Sequence, residues 1–329
     1  MIPEYIKKWL QLIEKMSNFN TYKLAWGRSI IEAVECNDYE KLDDNTDQIS
    51  MDKISLNVLR YYWNQTYFFN LKQCGSYSKA TIMTSVNSLI TKYQDLTENT
   101  FPVWFDEALV EIKKKDLSFF NKTIKDISRC LIANPYRYFV HLEKDKYLDI
   151  YSLSNDKKYL LLKHEDLLAL NEYGFILSEL LNYRWSQLLE NYNAAPKINQ
   201  KVNRISENKI RRASLKHFIK FLMEATDNKP IDFYTGVELA KDNISVDHVI
   251  PWSFMYSDDI WNLVLTSKKN NSSKNNKIPT KEQIELLKER NNKLLNIIDD
   301  DKMKEELNTA VDNQYVDKYY MSCRYDFKV

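Results

Sequence analysis

Cysteine is scarce: Cys36, Cys74, Cys130 and Cys323 are the four thiols in 329 residues. No two lie within four residues of each other, so the paired spacing of a zinc ribbon is absent. Thiols this isolated fit a reducing compartment. Glycine (4) and proline (7) are also few. That argues against long loops or a β-barrel and favours helices. The N-terminus carries no long apolar run. Met1-Ile2-Pro3-Glu4 opens straight into an amphipathic segment, so neither a signal peptide nor a transmembrane span is expected, and a cytoplasmic protein is. Net charge is +1, so any affinity for a polyanion must rest on local excess. What is present is a 44% hydrophobic fraction, enough for a core, on a chain long enough for two or three domains.

Ile6, Trp9, Leu10, Ile13 and Met16 repeat at helical spacing after Pro3. Asn20 or Thr21 can cap a second helix with Tyr22, Ala25, Trp26, Ile30, Ala33 and Val34 on one face. The acidic stretch from Asp38 to Asp52 reads as a loop. A third helix is expected from about Ser55 to Gln73, stepping by four through Leu59, Trp63, Tyr67 and Leu71. Its dense aromatics, Tyr61, Tyr62, Phe68 and Phe69, are better explained as core than as a base-stacking face. Helices follow near 78–93, 102–113 and 117–133, the last stopping before Asn134-Pro135. Phe139–Leu142, Tyr147–Tyr151 and Lys158–Leu162 then read as a small antiparallel meander. His141 and His164 flank it without ligand-spaced partners, which points to structural or surface roles. A helix from about Tyr173 to Tyr192 follows, and Asn193-Ala194-Ala195-Pro196 marks a domain boundary.

Between Lys197 and Lys220 eight basic residues oppose one acid, Glu207. Ser206 can cap a helical half with Leu215, Phe218, Ile219 and Leu222 on its buried side. Such a run is often only a solvated face. Here it leads into the chain's main motif, so Arg204, Lys209, Arg211, Arg212 and Lys216 are candidate phosphate contacts. His217 lies among them without an assignable role. Near the C-terminus, Thr280-Lys281-Glu282-Gln283 has capping-box form, and helices are expected over 281–297 and 301–320.

Ile231–Tyr234 and Ile244–Asp247 are β-prone runs joined through a turn near Gly236. Adjacent residues on a flat strand face opposite ways, so Asp247 and His248 can share a site only if the backbone bends there. Pro251 fits such a bend. Ser267 can cap a short helix through Asn275 on which Asn271 and Lys274 share a face. The expected unit is strand, strand, loop, helix.

Asp247-His248-Val249-Ile250-Pro251-Trp252-Ser253-Phe254, then Trp261-Asn262-Leu263-Val264, then Asn271-Ser272-Ser273-Lys274, resembles the HNH motif of ββα-metal nucleases. It is similar to a group of bacterial HNH endonuclease-domain proteins of restriction or anti-phage type. The spacing, fourteen residues from His248 to Asn262 and nine more to Asn271, is similar to the HNH domain of CRISPR RNA-guided effectors. Residues 20–26 and 62–69 more loosely resemble the front halves of the same group. The resemblance implies His248 as general base and Asp247 with the Asn271 side-chain oxygen as ligands of one Mg²⁺ or Mn²⁺. It implies Asn262 as the residue that holds His248 in orientation, and Lys274 as a phosphate contact. Many HNH proteins brace the hairpin with a cysteine-bound zinc. Asp232-Phe233-Tyr234-Thr235-Gly236 has no cysteine, so no structural zinc is expected and packing of Phe233 and Tyr234 must serve instead.

The expected architecture is α+β and mainly helical. A helical N-terminal region (1–195) with a β meander would recognise a target or dock a partner. A basic linker helix (196–229) would lead to an HNH nuclease domain with closing helices (230–329). The expected function is hydrolysis of DNA, most simply double-stranded, in restriction or anti-phage defence, with a homodimer or a defence-system protein as possible partner and no membrane. The rival is a nucleic-acid-binding or structural subunit whose HNH fold is silent or controlled by a partner.

Overall fold

Helices begin where the sequence offers a cap or a proline. In the computed structural model, which describes residues 2–75, 81–143, 146–207, 210, 212–274 and 276–326, Pro3 precedes α1 (Glu4–Lys15) and Thr21 precedes α2 (Tyr22–Glu35). The stretch expected as a loop carries two strands, β1 (Glu40–Lys41) and β2 (Thr46–Ser50). Ser50 caps α3 (Met51–Trp63), accepting from the Asp52 N–H. The third helix therefore starts before Ser55, and from Asn64 to Phe68 it widens into a π-helical turn rather than running on to Gln73.

Next come α4 (Thr81–Thr97) and α5 (Phe105–Ala133). The latter breaks at Asp116 (φ −152°, ψ 72°), whose Oδ1 accepts from the Phe119 N–H and so starts the second half. The expected residue 78 lies outside the described residues. After α6 (Pro135–Phe139) the meander divides. β3 (His141–Glu143) and β4 (Lys146–Tyr147) pair only with each other. β5 (Ser152–Leu153) and β6 (Tyr159–Lys163) join β1 and β2 in an antiparallel sheet of order β1-β2-β6-β5. Thr46 stands opposite Lys163 and Ser50 opposite Tyr159. Asp47 faces inward in this sheet, 1% exposed, because His164 Nδ1 reaches its Oδ2 at 2.7 Å.

His164 also opens α7 (His164–Glu190), which starts about nine residues before the expected Tyr173. Its buried face and α2 form the centre of this unit, where Trp9, Trp26, Trp63, Trp104 and Trp185 are all fully or nearly fully buried. The Trp26 indole donates to the Tyr151 hydroxyl at 2.8 Å, and that hydroxyl donates to the Tyr136 carbonyl at 3.0 Å. The dense aromatics of α3 lie inside: Tyr61, Tyr62 and Phe69 are fully buried.

The basic stretch is not one helix. It holds α8 (Ile198–Asn203), a 3₁₀ turn at Lys216–Phe218 and α9 (Ile219–Glu224). Ser206 Oγ accepts from Arg28, and among the described residues it caps no helix. Contacts divide the chain into two units, residues 1–193 with 198–210, and residues 194–197 with 211–329. The second holds β7 (Ile244–His248), α10 (Trp252–Met255), β8 (Leu263–Ser267), α11 (Lys268–Lys274), α12 (Lys281–Ile297), α13 (Asp301–Asp312) and α14 (Tyr315–Asp326). The Thr280–Gln283 capping box forms in full, and the single closing helix expected over 301–320 is two. Among the described residues no helix is long and apolar enough to cross a membrane.

Candidate active site

Pairing fixes the core of the site. β7 and β8 run antiparallel, with Asp247 opposite Val264 and His248 opposite Leu263. The order is thus strand, loop, strand, helix, and this corrects the expected strand, strand, loop, helix. Ile231–Tyr234 does not become a strand because Asp232 bends it: its Oδ1 accepts from the Tyr234 and Thr235 N–H groups at 2.9 and 3.1 Å. Gly236, at φ +70°, then completes the turn. A single bridge between Ile231 and Glu238 remains.

The Phe233 and Tyr234 rings pack edge to face at 5.1 Å, and Asp232 adds a polar brace beside them. Its Oδ2 accepts from the Ser267 N–H at 2.8 Å, the Thr266 hydroxyl at 3.0 Å and Asn270 Nδ2 at 3.0 Å. One buried carboxylate therefore ties the turn to the end of β8 and the start of α11. Burial opposes its charge, and these hydrogen bonds outweigh that and hold the carboxyl below the usual range. Ser267 Oγ accepts from the Asn270 N–H, capping α11 as expected.

His248 ends β7, where the ladder stops and the chain turns towards Pro251. Asp247, His248 and Asn271 line one concavity of about 390 Å³, together with Arg212, Trp252 and Asp258. Asn271 rather than Asn270 faces it, since Asn270 is held by Asp232. The Asn271 amide nitrogen donates to Ser245 Oγ at 2.7 Å and to the Val246 carbonyl at 3.3 Å, so its side-chain oxygen is left as an acceptor.

Asp258 was not singled out in the sequence, yet its Oδ1 lies 2.9 Å from His248 Nε2. Burial opposes its ionisation, but the hydrogen bond and charge of His248, helped by Trp252 and Arg212, hold the carboxyl below its usual range. An ionised carboxylate can only accept, so Nε2 carries the proton towards Asp258, and Nδ1 is the free base whenever the ring is neutral. Tyr234 was named only for packing. Its hydroxyl donates to Asp247 Oδ2 at 2.6 Å, and burial followed by the Asp247 charge keeps it a phenol.

Asn262 lies behind the site. Its Oδ1 accepts from the Ile250 N–H at 2.8 Å, its Nδ2 donates to the Ile250 carbonyl at 2.9 Å, and its own carbonyl accepts from the Val249 N–H. It thereby clamps the two residues after His248. The clamp is braced in turn by α12. Arg290 donates to the carbonyls of Ile260, Trp261 and Leu263, and Asn291 to that of Trp261.

The basic candidates separate. Lys274 lies under the site with its side chain 10% exposed, 3.1 Å from Asp247 Oδ2 and bonded to the His248 carbonyl. Arg212 is exposed and stacks its guanidinium 4.2 Å from the Trp252 ring centre at the rim. Lys216 is exposed on the 3₁₀ turn packed against β7. Arg204 belongs to the other unit and is bonded to both Glu207 oxygens at 2.8 Å. Lys209 and Arg211 lie outside the described residues.

The donor set suits a hard cation: one carboxylate and one amide oxygen, with a concavity to hold water and phosphate. Among the described residues no group of three or more His, Cys, Asp or Glu side chains is placed to hold a metal. A cation here would therefore keep several non-protein ligands.

Residues 232–280 match a family model described as HNH endonuclease. Residues 6–210 match one described as a domain of unknown function (DUF8808). Over 67 residues the chain is 42% identical to the CRISPR-associated endonuclease Cas9 of Streptococcus mutans serotype c (strain ATCC 700610 / UA159), a match covering 20% of this chain. The chain spans 5% of the length of that curated relative. No solved structure matches.

Proposed function

Since the chain belongs to the family described as a domain of unknown function (DUF8808) and carries an HNH endonuclease domain like that of Cas9, we propose that it is a metal-dependent endonuclease that hydrolyses DNA phosphodiester bonds. One observation carries the reading: Asp247, His248 and Asn271 share a concavity in which Asp258 fixes the His248 tautomer.

His248 Nδ1 takes a proton from water as that water's oxygen bonds to phosphorus. The P–O3′ bond breaks, and the 3′ oxygen leaves and is protonated from solvent. Asp258 holds the ring and stabilises the imidazolium formed. Asn262 keeps the backbone behind His248 from shifting, and Arg212 at the rim is the basic side chain best placed to meet a phosphate. Asp247 and the Asn271 side-chain oxygen would hold Mg²⁺ or Mn²⁺, which when bound supplies Lewis-acid stabilisation of the phosphate and the departing oxygen. Tyr234 and Lys274 both occupy Asp247 Oδ2, so Oδ1 would be the atom left to hold the ion.

Residues 1–195 would recognise the target or dock a partner, and 196–229 would link them to the nuclease domain at 230–329. The Cas9 relative is a CRISPR-associated endonuclease, which supports a defence setting. The Lys274–Asp247 ion pair favours a second reading, a domain held silent until metal or a partner displaces the lysine.

Plasmid incubated with Mg²⁺ or Mn²⁺ should be nicked or linearised to 5′-phosphate and 3′-hydroxyl ends, and EDTA should abolish this. Intact plasmid under every metal, with candidate partners added, would refute the reading.

A further inference from the structure

The first unit contains a concavity of about 610 Å³ with a strong local charge. Lys125 and Arg129 come from the second half of α5, Arg137 from α6, and Lys157 and Lys158 from the turn before β6. Asp52 is the one acid on its wall. Five cations against one anion stand out in a chain whose net charge is +1.

These charges are available. All five side chains belong to exposed residues. Lys125, Arg137 and Lys157 make no ion pair among the described residues. Among the described residues Arg129 pairs with the half-buried Asp126 and Lys158 with the exposed Asp156, and both cations are themselves exposed, so the contacts can be exchanged for a phosphate. The start of α3 adds nothing to this: the Met51 N–H donates to the Lys158 carbonyl and the Asp52 N–H to Ser50. Recognition must come from the side chains.

The turn is shaped for this purpose. Lys157 sits at φ +58°, a left-handed conformation in which glycine or asparagine would be less strained. Asp156 folds back on its own turn, its Oδ1 accepting from the Ser154 hydroxyl and the Lys158 N–H. The acid thus serves the turn while both lysines face the concavity.

We propose that this concavity binds the phosphodiester backbone of duplex DNA, holding substrate by charge without taking part in its cleavage. The choice of DNA rests on the nuclease reading above. The groups that bind are cations from three separate elements around a space wide enough for more than one phosphate.

The test is a salt titration of a fluorescent duplex bound to the full chain in EDTA. It compares wild type with the triple variant Lys125→Gln, Arg137→Gln, Lys157→Gln. The expected result is a Kd raised about tenfold or more at moderate salt, and a log Kd against log salt slope reduced by about two to three units. The single variant Lys157→Gly should melt higher, because the left-handed strain is relieved, while still losing about one unit of slope. An unchanged Kd and slope in the triple variant would overturn the proposal. So would recognition confined to an acidic protein, with no DNA binding by wild type. Plasmid cleavage by the same preparations separates the two readings. Cutting with an unmoved slope rejects the concavity alone, whereas a reduced slope without cutting, with candidate partners added, upholds the concavity and rejects the nuclease reading.

Discussion

Asp258 and Asp232 show how two carboxylates in one small domain acquire different tasks. Asp258 meets an imidazole and, in the proposed mechanism, acts on chemistry. In Asp258→Asn the amide can bond Nε2 from either end, so the tautomer is no longer enforced. A drop in kcat of about 10- to 100-fold is expected, with KM for DNA little changed and the pH–rate profile displaced. A KM effect with an unchanged profile would reduce Asp258 to a structural part. Asp232 meets N–H and O–H donors and acts on stability. Its folded carboxyl lies below the unfolded value of about 3.9, so its contribution is whole above that pH and is lost as pH falls through the folded value. Asp232→Asn should therefore lower the melting temperature at neutral pH, with the gap to wild type closing below about pH 4. A gap that stays constant into acid would contradict the hub role.

Elements differ in how much of them the sequence discloses. The capping box at Thr280 and the break at Asp116 rest on contacts three residues apart and could be read directly. β2 could not, because its inward Asp47 is satisfied by His164, 117 residues away. β8 is buried along its whole length, so it shows no alternation, and the Ile231–Tyr234 run competed for its place. The motif residues of the site were named through the resemblance to HNH nucleases, not from periodicity. Asp258 was not, since it reaches His248 across an irregular loop with no period to betray it. Arg290, which braces Asn262 from α12, was hidden by distance in the same way. The packing of α2 offers a direct test. A Cβ on Gly27 would lie 2.7 and 2.8 Å from two ring atoms of the fully buried Phe139. Gly27→Ala should cost about 1–3 kcal/mol, read as a melting temperature several degrees lower, and an unchanged melt would show that the ring can yield.

For the molecule as a whole, a net charge near zero conceals a local accumulation of positive charge lining the concavity of the helical unit, while the candidate active site carries Arg212 at its rim beside Asp247 and Asp258. Binding should thus be strongly salt-dependent while the chemical step on bound DNA is not. The central claim is that His248, held by Asp258 beside Asp247 and Asn271, activates water. Its most direct test is the single-turnover cleavage rate on saturating DNA with Mg²⁺ or Mn²⁺, for wild type and His248→Ala. The account predicts a rate about 10²- to 10⁴-fold lower in the variant, with DNA affinity retained. Equal rates would contradict it.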